Sequence, residues 1–166
     1  MLGQIRIDPT PTAIIERYTQ DAPVRVEAIA RDLGISVIQD VIEEPDVAGK
    51  IVRDNSGRSP GGYAIYLNAR DPARRQRFTL AHELGHYVLH RDLIGDGLID
   101  DAMYRSKLGE WYERQANRWA ADTLMPAALV RGLYRGGMRD LASLSNTLDV
   151  SEPAIRIRLS ELGLAP

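Results

Sequence analysis

The placement of the histidines constrains this chain most, because all three lie within nine residues of one segment predicted to be helical. His82 and His86 stand four residues apart in the pattern HExxH, and residues at this spacing share one face of an α-helix. Both imidazoles can therefore reach one metal ion at about 2 Å from each ring nitrogen. The chain has no cysteine, which excludes thiolate ligands, disulfides and thiol nucleophiles.

Glu83 lies about 100° further round this predicted helix than His82, where it can reach a water on the metal without binding the metal itself. Gly85 leaves space for a neighbouring backbone to approach closely. The pattern also has a plain structural explanation, in which two buried histidines sit on an apolar helix face beside Leu80 and Leu84. We favour the metal site, because the five-residue pattern should arise by chance about once per hundred such chains.

A third ligand is expected, because catalytic zinc normally binds three protein side chains and one water. Glu113 and Asn117 share one face of the next predicted helix with Ala120 and Leu124. A carboxylate and an amide are costly to bury in such an apolar stripe unless they are paired. We therefore predict that Glu113 is the third ligand to Zn²⁺ and that Asn117 supports a liganded imidazole by a hydrogen bond. In the alternative interpretation, both are exposed polar residues of the helix surface.

His90 competes for the role of third ligand, since it lies four residues beyond His86. Three ligands on one straight helix would span about 12 Å, which is too far for one tetrahedral ion. A sharp bend after His86 would need a glycine, and Val88 and Leu89 stand there instead. We interpret His90 as a structural histidine near the helix C-terminus, where its positive charge is favourable.

Hydrophobic periodicity and turn residues predict an α+β domain, with helices before and after a small antiparallel sheet. The predicted helices cover residues 12–19, 24–33, 71–90, 110–124, 127–134, 138–148 and 151–162. The predicted strands cover residues 35–42, 49–53 and 63–67. Asp71 is the expected N-cap of the histidine helix, with Pro72 at its first position. The stretch 91–109 is expected to be a loop.

Composition is ordinary for a globular protein of 166 residues, with 44% hydrophobic and 27% charged residues. The net charge of -2 and the pI near 5.9 argue against a chain that binds nucleic acid through its overall charge. The N-terminus has no secretory signal pattern, and no apolar run approaches the ~18 residues of a membrane span. We therefore expect a cytoplasmic protein that does not contact a membrane.

Two runs around these residues resemble the ImmA/IrrE family of bacterial metallopeptidases. They are RFTLAHELGHYVLH at 77–90 and ERQANRWAADTLMP at 113–126. The strand Ile65 to Asn68 and the tail 144–164 also fit, so the resemblance covers most of residues 24–164. Trp119 stands where the family usually has phenylalanine, and Asp122-Thr123 replaces the more usual Glu-Leu pair, which leaves the ligand positions intact.

The resemblance implies a zincin-like metallopeptidase domain, which we place at residues 1–135, with a helix-turn-helix-like extension at 136–166 packed on it. It implies a thermolysin-like ligand set of His82, His86 and Glu113, with Glu83 as general base. The implied activity is endoproteolysis of a helix-turn-helix repressor or similar regulatory protein in a bacterial, phage or mobile-element circuit. Other family members pair with toxins or antitoxins, so a toxin-antitoxin partner is a second expectation.

Two further roles in proteolysis, stabilisation of the oxyanion and binding of the substrate backbone, have only general candidates in the sequence. Tyr104, Arg105 and Tyr112 are candidates for a second donor to the oxyanion. The strand 63–67 is expected to pair with an extended substrate by strand addition.

Two alternatives use the same scaffold without turnover, namely an antitoxin and a DNA-binding regulator. For the regulator, Arg156 and Arg158 of the segment 138–164 could face phosphates. We favour packing of this helix pair over DNA binding, because Glu152 and Glu161 dilute its positive charge.

Overall fold

The computed structural model describes residues 10–94 and 107–165. Its helices are α1 (Pro11–Tyr18), α2 (Val26–Asp32), α3 (Ala73–Leu89), α4 (Lys107–Leu124), α5 (Ala127–Arg135), α6 (Leu141–Leu148) and α7 (Glu152–Glu161). Its strands are β1 (Ser36–Asp40), β2 (Gly49–Arg53) and β3 (Tyr63–Asn68), and a 3₁₀ turn covers Arg91–Leu93. This order confirms the predicted α+β class. No helix in the described ranges is long and apolar enough to cross a membrane.

The three strands form one sheet in the order β1-β3-β2, with β3 in the centre. Strands β2 and β3 pair antiparallel, as predicted, whereas β1 and β3 pair parallel, so the sheet is mixed. The reason is geometric: successive strands reverse direction, so the first and third run the same way and pair parallel once β3 lies between the others. Ile65 of β3 pairs with Val37 on one side and Ile51 on the other.

Capping side chains explain where the short helices begin. Thr10, Asp140 and Ser151 each accept a hydrogen bond from the backbone N–H three residues later, at the starts of α1, α6 and α7. The prediction for α3 was one residue early, because its N-cap is Pro72 and no side chain caps it. Asp71 instead pairs with Arg75 at 3.4 Å, one helical turn later.

The last two helices share one hydrophobic core with the rest of the described chain. Leu144 and Leu148 of α6 and Ile155 and Leu159 of α7 are fully buried. Arg74 of α3 binds the end of α6 and the turn that follows it, because its guanidinium donates hydrogen bonds to Ser145, Asn146 and Asp149. The C-terminal pair therefore packs on α3, while the division at residue 135 stays a prediction.

Arg158 corrects one expectation about this tail, because its side chain is only 4% exposed and cannot face a phosphate. Its Nε donates to the carbonyl of Met125 at 2.9 Å. Its Nη1 lies 2.7 Å from Asp122 and 3.2 Å from Glu161. Sequence reasoning missed this burial because helical periodicity alone does not show that α7 lies against the end of α4.

Candidate metal centre

The candidate centre lies where α3 and α4 pack side by side. His82 and His86 are one turn apart on α3, and Glu113 lies on α4. The two helices are in close contact at Gly85, where a Cβ would lie 3.2 Å from the Ala116 carbonyl oxygen. A residue without a side chain at this position therefore lets the carboxylate of one helix reach the imidazoles of the other.

The three donor groups form a compact triangle. His86 Nε2 lies 3.1 Å from His82 Nε2 and 2.9 Å from Glu113 Oε1, and His82 Nε2 lies 3.1 Å from Glu113 Oε2. Ligand atoms of a tetrahedral zinc ion lie about 3.3 Å from one another, so each edge would need to open by only roughly 0.2–0.4 Å. Among the described residues, these three side chains are the group that could hold a metal ion.

Asn117 fixes the orientation of His82. Its Oδ1 lies 2.8 Å from His82 Nδ1. A carboxamide oxygen can only accept a hydrogen bond, so Nδ1 of His82 carries a hydrogen, which leaves Nε2 as the ring atom that can bind an ion. The structure thus places Asn117 where the sequence expected it, beside an imidazole of the candidate site.

Glu113 is the negative charge of the triangle. Burial favours its neutral form, yet the close contacts of its carboxylate with His82 and His86 lower the pKa of Glu113 to about 2. Burial likewise disfavours the charged form of His82, but its hydrogen bond with Glu113 raises the pKa of His82 above the usual value. The site therefore attracts positive charge, as a metal-binding site requires.

Glu83 is a buried carboxylate that lines the same cleft as the triangle. Glu83 is only 7% exposed, and this burial raises the pKa of its carboxyl group above the usual value. The nearby imidazoles of His82 and His86 act in the opposite direction, as does a hydrogen bond from the Ile51 backbone of β2. Such a group can exchange protons with a molecule bound in the cleft.

The cleft itself has a volume of about 720 Å³ and lies between α3, α4 and the approach to β2. The segment 44–50 forms one wall, and Arg75, Phe78 and Thr79 of α3 form another. Strand β3 is paired on both sides and has no free edge for strand addition. Of the two edge strands, β1 and β2, it is β2 that borders the cleft, through Gly49 and Lys50. The expectation that strand 63–67 plays this role is wrong.

His90 and Gln115 lie next to the site, although the sequence analysis assigned neither of them a supporting role there. His90 Nδ1 lies 3.0 Å from His86 Nδ1, and its Nε2 lies 2.7 Å from Gln115 Oε1. Burial lowers the pKa of His90, which disfavours the positive charge expected at this helix end. The spacing of four residues from His86 was the available signal for a contact between the two rings, but only the packing of α4 shows the contact with Gln115.

Of the three candidate oxyanion donors, the structure describes Tyr112. Tyr112 packs its ring against His90 with centroids 4.8 Å apart, and it is not among the described residues that line the cleft. Tyr104 and Arg105 lie outside the described residues, as does most of the predicted loop 91–109.

A helix with HExxH, packed against a helix that supplies a carboxylate, defines a metallopeptidase-type α+β domain. The chain belongs to the family described as the IrrE N-terminal-like domain, Peptidase_M78, whose model matches residues 30–160. This finding confirms the ImmA/IrrE resemblance.

Two curated relatives, from Deinococcus deserti and Deinococcus radiodurans, are both named radiation response metalloprotease IrrE. Each is 37% identical to this chain, over 112 and 107 residues. The matches cover 64% and 61% of this chain but only 39% and 32% of the relatives, so the chain spans roughly a third of the length of the curated relatives that it matches.

A solved structure, of a Mycobacterium tuberculosis transcriptional regulator, superposes with a TM-score of 0.60 at 20% identity. The superposition covers 90% of this chain and 55% of that chain. At this identity, the likeness concerns the fold alone.

Proposed function

We propose that this chain is a cytoplasmic zinc-dependent endopeptidase that cleaves a regulatory protein. The observation that carries the proposal is the triangle of His82, His86 and Glu113 beside the buried carboxylate of Glu83. Membership of the IrrE N-terminal-like family supports a metal-dependent protease, and the two relatives at 37% identity are named metalloproteases. A helix-turn-helix repressor is the substrate class that the family resemblance favours.

His82, His86 and Glu113 would hold the ion, and two imidazoles with one carboxylate are a ligand set of catalytic zinc enzymes. When bound, zinc supplies Lewis acidity, which polarises the scissile carbonyl and acidifies a water. The low pKa of Glu113 keeps that carboxylate ionised at neutral pH, as a ligand must be.

Glu83 accepts a proton from the attacking water and then gives it to the leaving amine. A carboxylate in this role must be basic enough to take the proton, and the buried environment of Glu83 raises its pKa in that direction. The hydrogen bond from the Ile51 backbone keeps the side chain oriented toward the cleft wall formed by β2.

An extended substrate segment adds to the free edge of β2, which borders the cleft through Gly49 and Lys50. Main-chain hydrogen bonds to an edge strand hold a peptide in one direction without reading its side chains. Specificity then comes from the cleft walls, where Glu44 and Asp46 lie on one side and Arg75 on the other.

The proposal is tested by zinc analysis together with peptide cleavage. Purified chain, dialysed against metal-free buffer, should retain close to one zinc per molecule and cleave members of a random decapeptide library, as read by mass spectrometry. Glu83→Gln should keep the zinc and lose about 10²- to 10⁴-fold in cleavage rate, because it removes the proton acceptor. Glu110→Gln, which changes an exposed carboxylate on the same helix as Glu113, is the matched control and should match the wild type in both measurements.

The turnover-free alternatives give different results in the same experiment. A zinc-loaded chain that cuts no better than Glu83→Gln would favour an antitoxin. A DNA-binding regulator would instead show salt-dependent binding to DNA. That alternative depended on Arg156 and Arg158, and Arg158 is buried.

A further inference from the structure

His86 and His90 touch inside the protein in a way that the proposed reaction does not use. Their Nδ1 atoms are 3.0 Å apart, and both residues are buried, at 4% and 7% exposure. On the far side of His90, its Nε2 lies 2.7 Å from Gln115 Oε1 on α4. Tyr112 packs edge-on against the His90 ring and limits its rotation.

The hydrogen positions along this series follow from what each group can donate. The carboxamide oxygen of Gln115 only accepts, so His90 carries its hydrogen on Nε2 and, as a neutral ring, has a lone pair on Nδ1. That lone pair accepts from His86 only if His86 carries its hydrogen on Nδ1. His86 then presents the lone pair of Nε2 to Glu113 and His82, which is the direction of the candidate ion.

We propose that Gln115 and His90 are positioning residues that hold His86 in the tautomer able to bind metal. The series Gln115–His90–His86 is hereafter called the relay. It complements the contact between Asn117 and His82, so each imidazole of the triangle has its own hydrogen-bond acceptor on the side away from the ion. The relay rests on the proposed zinc site, and its test is chosen so that the two can fail separately.

The first measurement is zinc affinity by competition with a fluorescent chelator. His90→Phe keeps a buried aromatic ring but removes the acceptor, and Gln115→Leu removes the group that orients His90. Each should weaken zinc binding by about 10- to 100-fold, the usual effect of losing such a partner. His90→Asn, whose amide oxygen can accept from His86 Nδ1–H, should restore most of the affinity.

Charge is controlled by a matched pair of variants. Gln115→Glu keeps an acceptor at this position and should bind zinc at least as tightly as the wild type. Arg114→Gln, at the adjacent exposed position, makes the same change in net charge outside the relay and should change affinity by less than about twofold. If Gln115→Glu and Arg114→Gln both strengthened zinc binding by the same factor, the gain would come from net charge, and this result would count against the relay.

The second measurement is histidine tautomer by ¹⁵N NMR on the zinc-loaded, untagged chain, whose spectrum contains only three imidazoles. The relay requires a hydrogen on Nδ1 of His86 and on Nε2 of His90. A hydrogen on Nδ1 of His90, or unchanged zinc affinity in His90→Phe and Gln115→Leu, would overturn the relay while leaving the zinc site standing. A wild-type chain that binds no zinc would instead overturn the proposed function and the relay together.

Discussion

Gly85 shows how a single residue determines whether the two halves of the site can meet. A Cβ at this position would lie 3.2 Å from the Ala116 carbonyl oxygen and 3.3 Å from both Ala116 Cα and the Trp119 ring. Two of these neighbours are backbone atoms of α4, which cannot move away independently of that helix. A larger residue would therefore separate α3 from α4 and draw Glu113 away from His82 and His86.

Replacing Gly85 with alanine is expected to lower both stability and zinc affinity. Alanine favours a helix over glycine by up to about 1 kcal/mol, but crowding in a packed interface costs about 1–3 kcal/mol, so the net free energy of unfolding should fall. Gly132 of α5 is the matched control, since nothing lies within 4 Å of a Cβ there. Gly132→Ala should gain about 0.5–1 kcal/mol in urea unfolding, and an equal gain in Gly85→Ala would show that the helices are not in close contact.

The residues of the triangle were predictable because they follow local rules of helix geometry. The spacing of His82 and His86 places them on one face, and the apolar surroundings of Glu113 on its own helix indicate a paired carboxylate. The contact between His90 and Gln115 was not predictable in this way. It joins residues of two different helices, and hydrophobic periodicity carries no information about which helices pack together.

At the scale of elements, strand and helix positions followed from the sequence more closely than their arrangement did. Strand β2 covers the predicted residues 49–53, and the other strand segments differ by one or two residues at their ends. The central position of β3 was missed, because alternating burial of a strand shows which side chains face the core but not which strands are its neighbours. For the same reason, strand addition of a substrate was predicted at β3, which has no free edge.

Arg158 connects two elements, and its removal should destabilise the fold. Arg158→Leu leaves the Met125 carbonyl without its donor and removes one of the two arginines that pair with both Asp122 and Glu161, the other being Arg118. Both carboxylates are partly exposed and can be solvated, so we expect a loss of about 1–3 kcal/mol in the free energy of unfolding.

The matched control for Arg158 is Arg156, which is exposed on the same helix. Arg156→Leu should change stability by less than about 0.5 kcal/mol in the same urea titration. Equal effects of the two variants would mean that α7 does not lie against the end of α4. The experiment therefore tests the packing of the tail independently of any metal.

At the scale of the whole molecule, the described residues bury one continuous set of apolar side chains from α1 to α7. Ile155 and Leu159 of α7 and Leu124 and Met125 at the end of α4 all belong to it and are at most 2% exposed. A chain of this size needs a shared core of that kind, because surface is large relative to volume. The candidate metal centre and the tail are thus linked through the position of α4.

Removal of the tail gives the strongest test of this linkage. A chain that ends at Arg135 lacks α6 and α7 and would expose the core side chains that those helices cover. Since deleting one large buried side chain already costs about 2–5 kcal/mol and a domain is stable by only about 5–15 kcal/mol, the shortened chain should not fold. We expect no cooperative thermal transition by circular dichroism and poor amide dispersion in NMR.

The control for this truncation is a chain that ends at Leu164. It loses the hydrogen bond from the Tyr134 hydroxyl to the carbonyl of Ala165, the last described residue, and should fold with a slightly lower Tm. A cooperative transition in the chain ending at Arg135 would show instead that residues 1–135 fold independently, as the predicted domain division proposes. In that case zinc affinity should also survive the truncation, because His82, His86 and Glu113 all lie before the cut. Loss of both folding and zinc binding would establish that α6 and α7 hold α3 and α4 together.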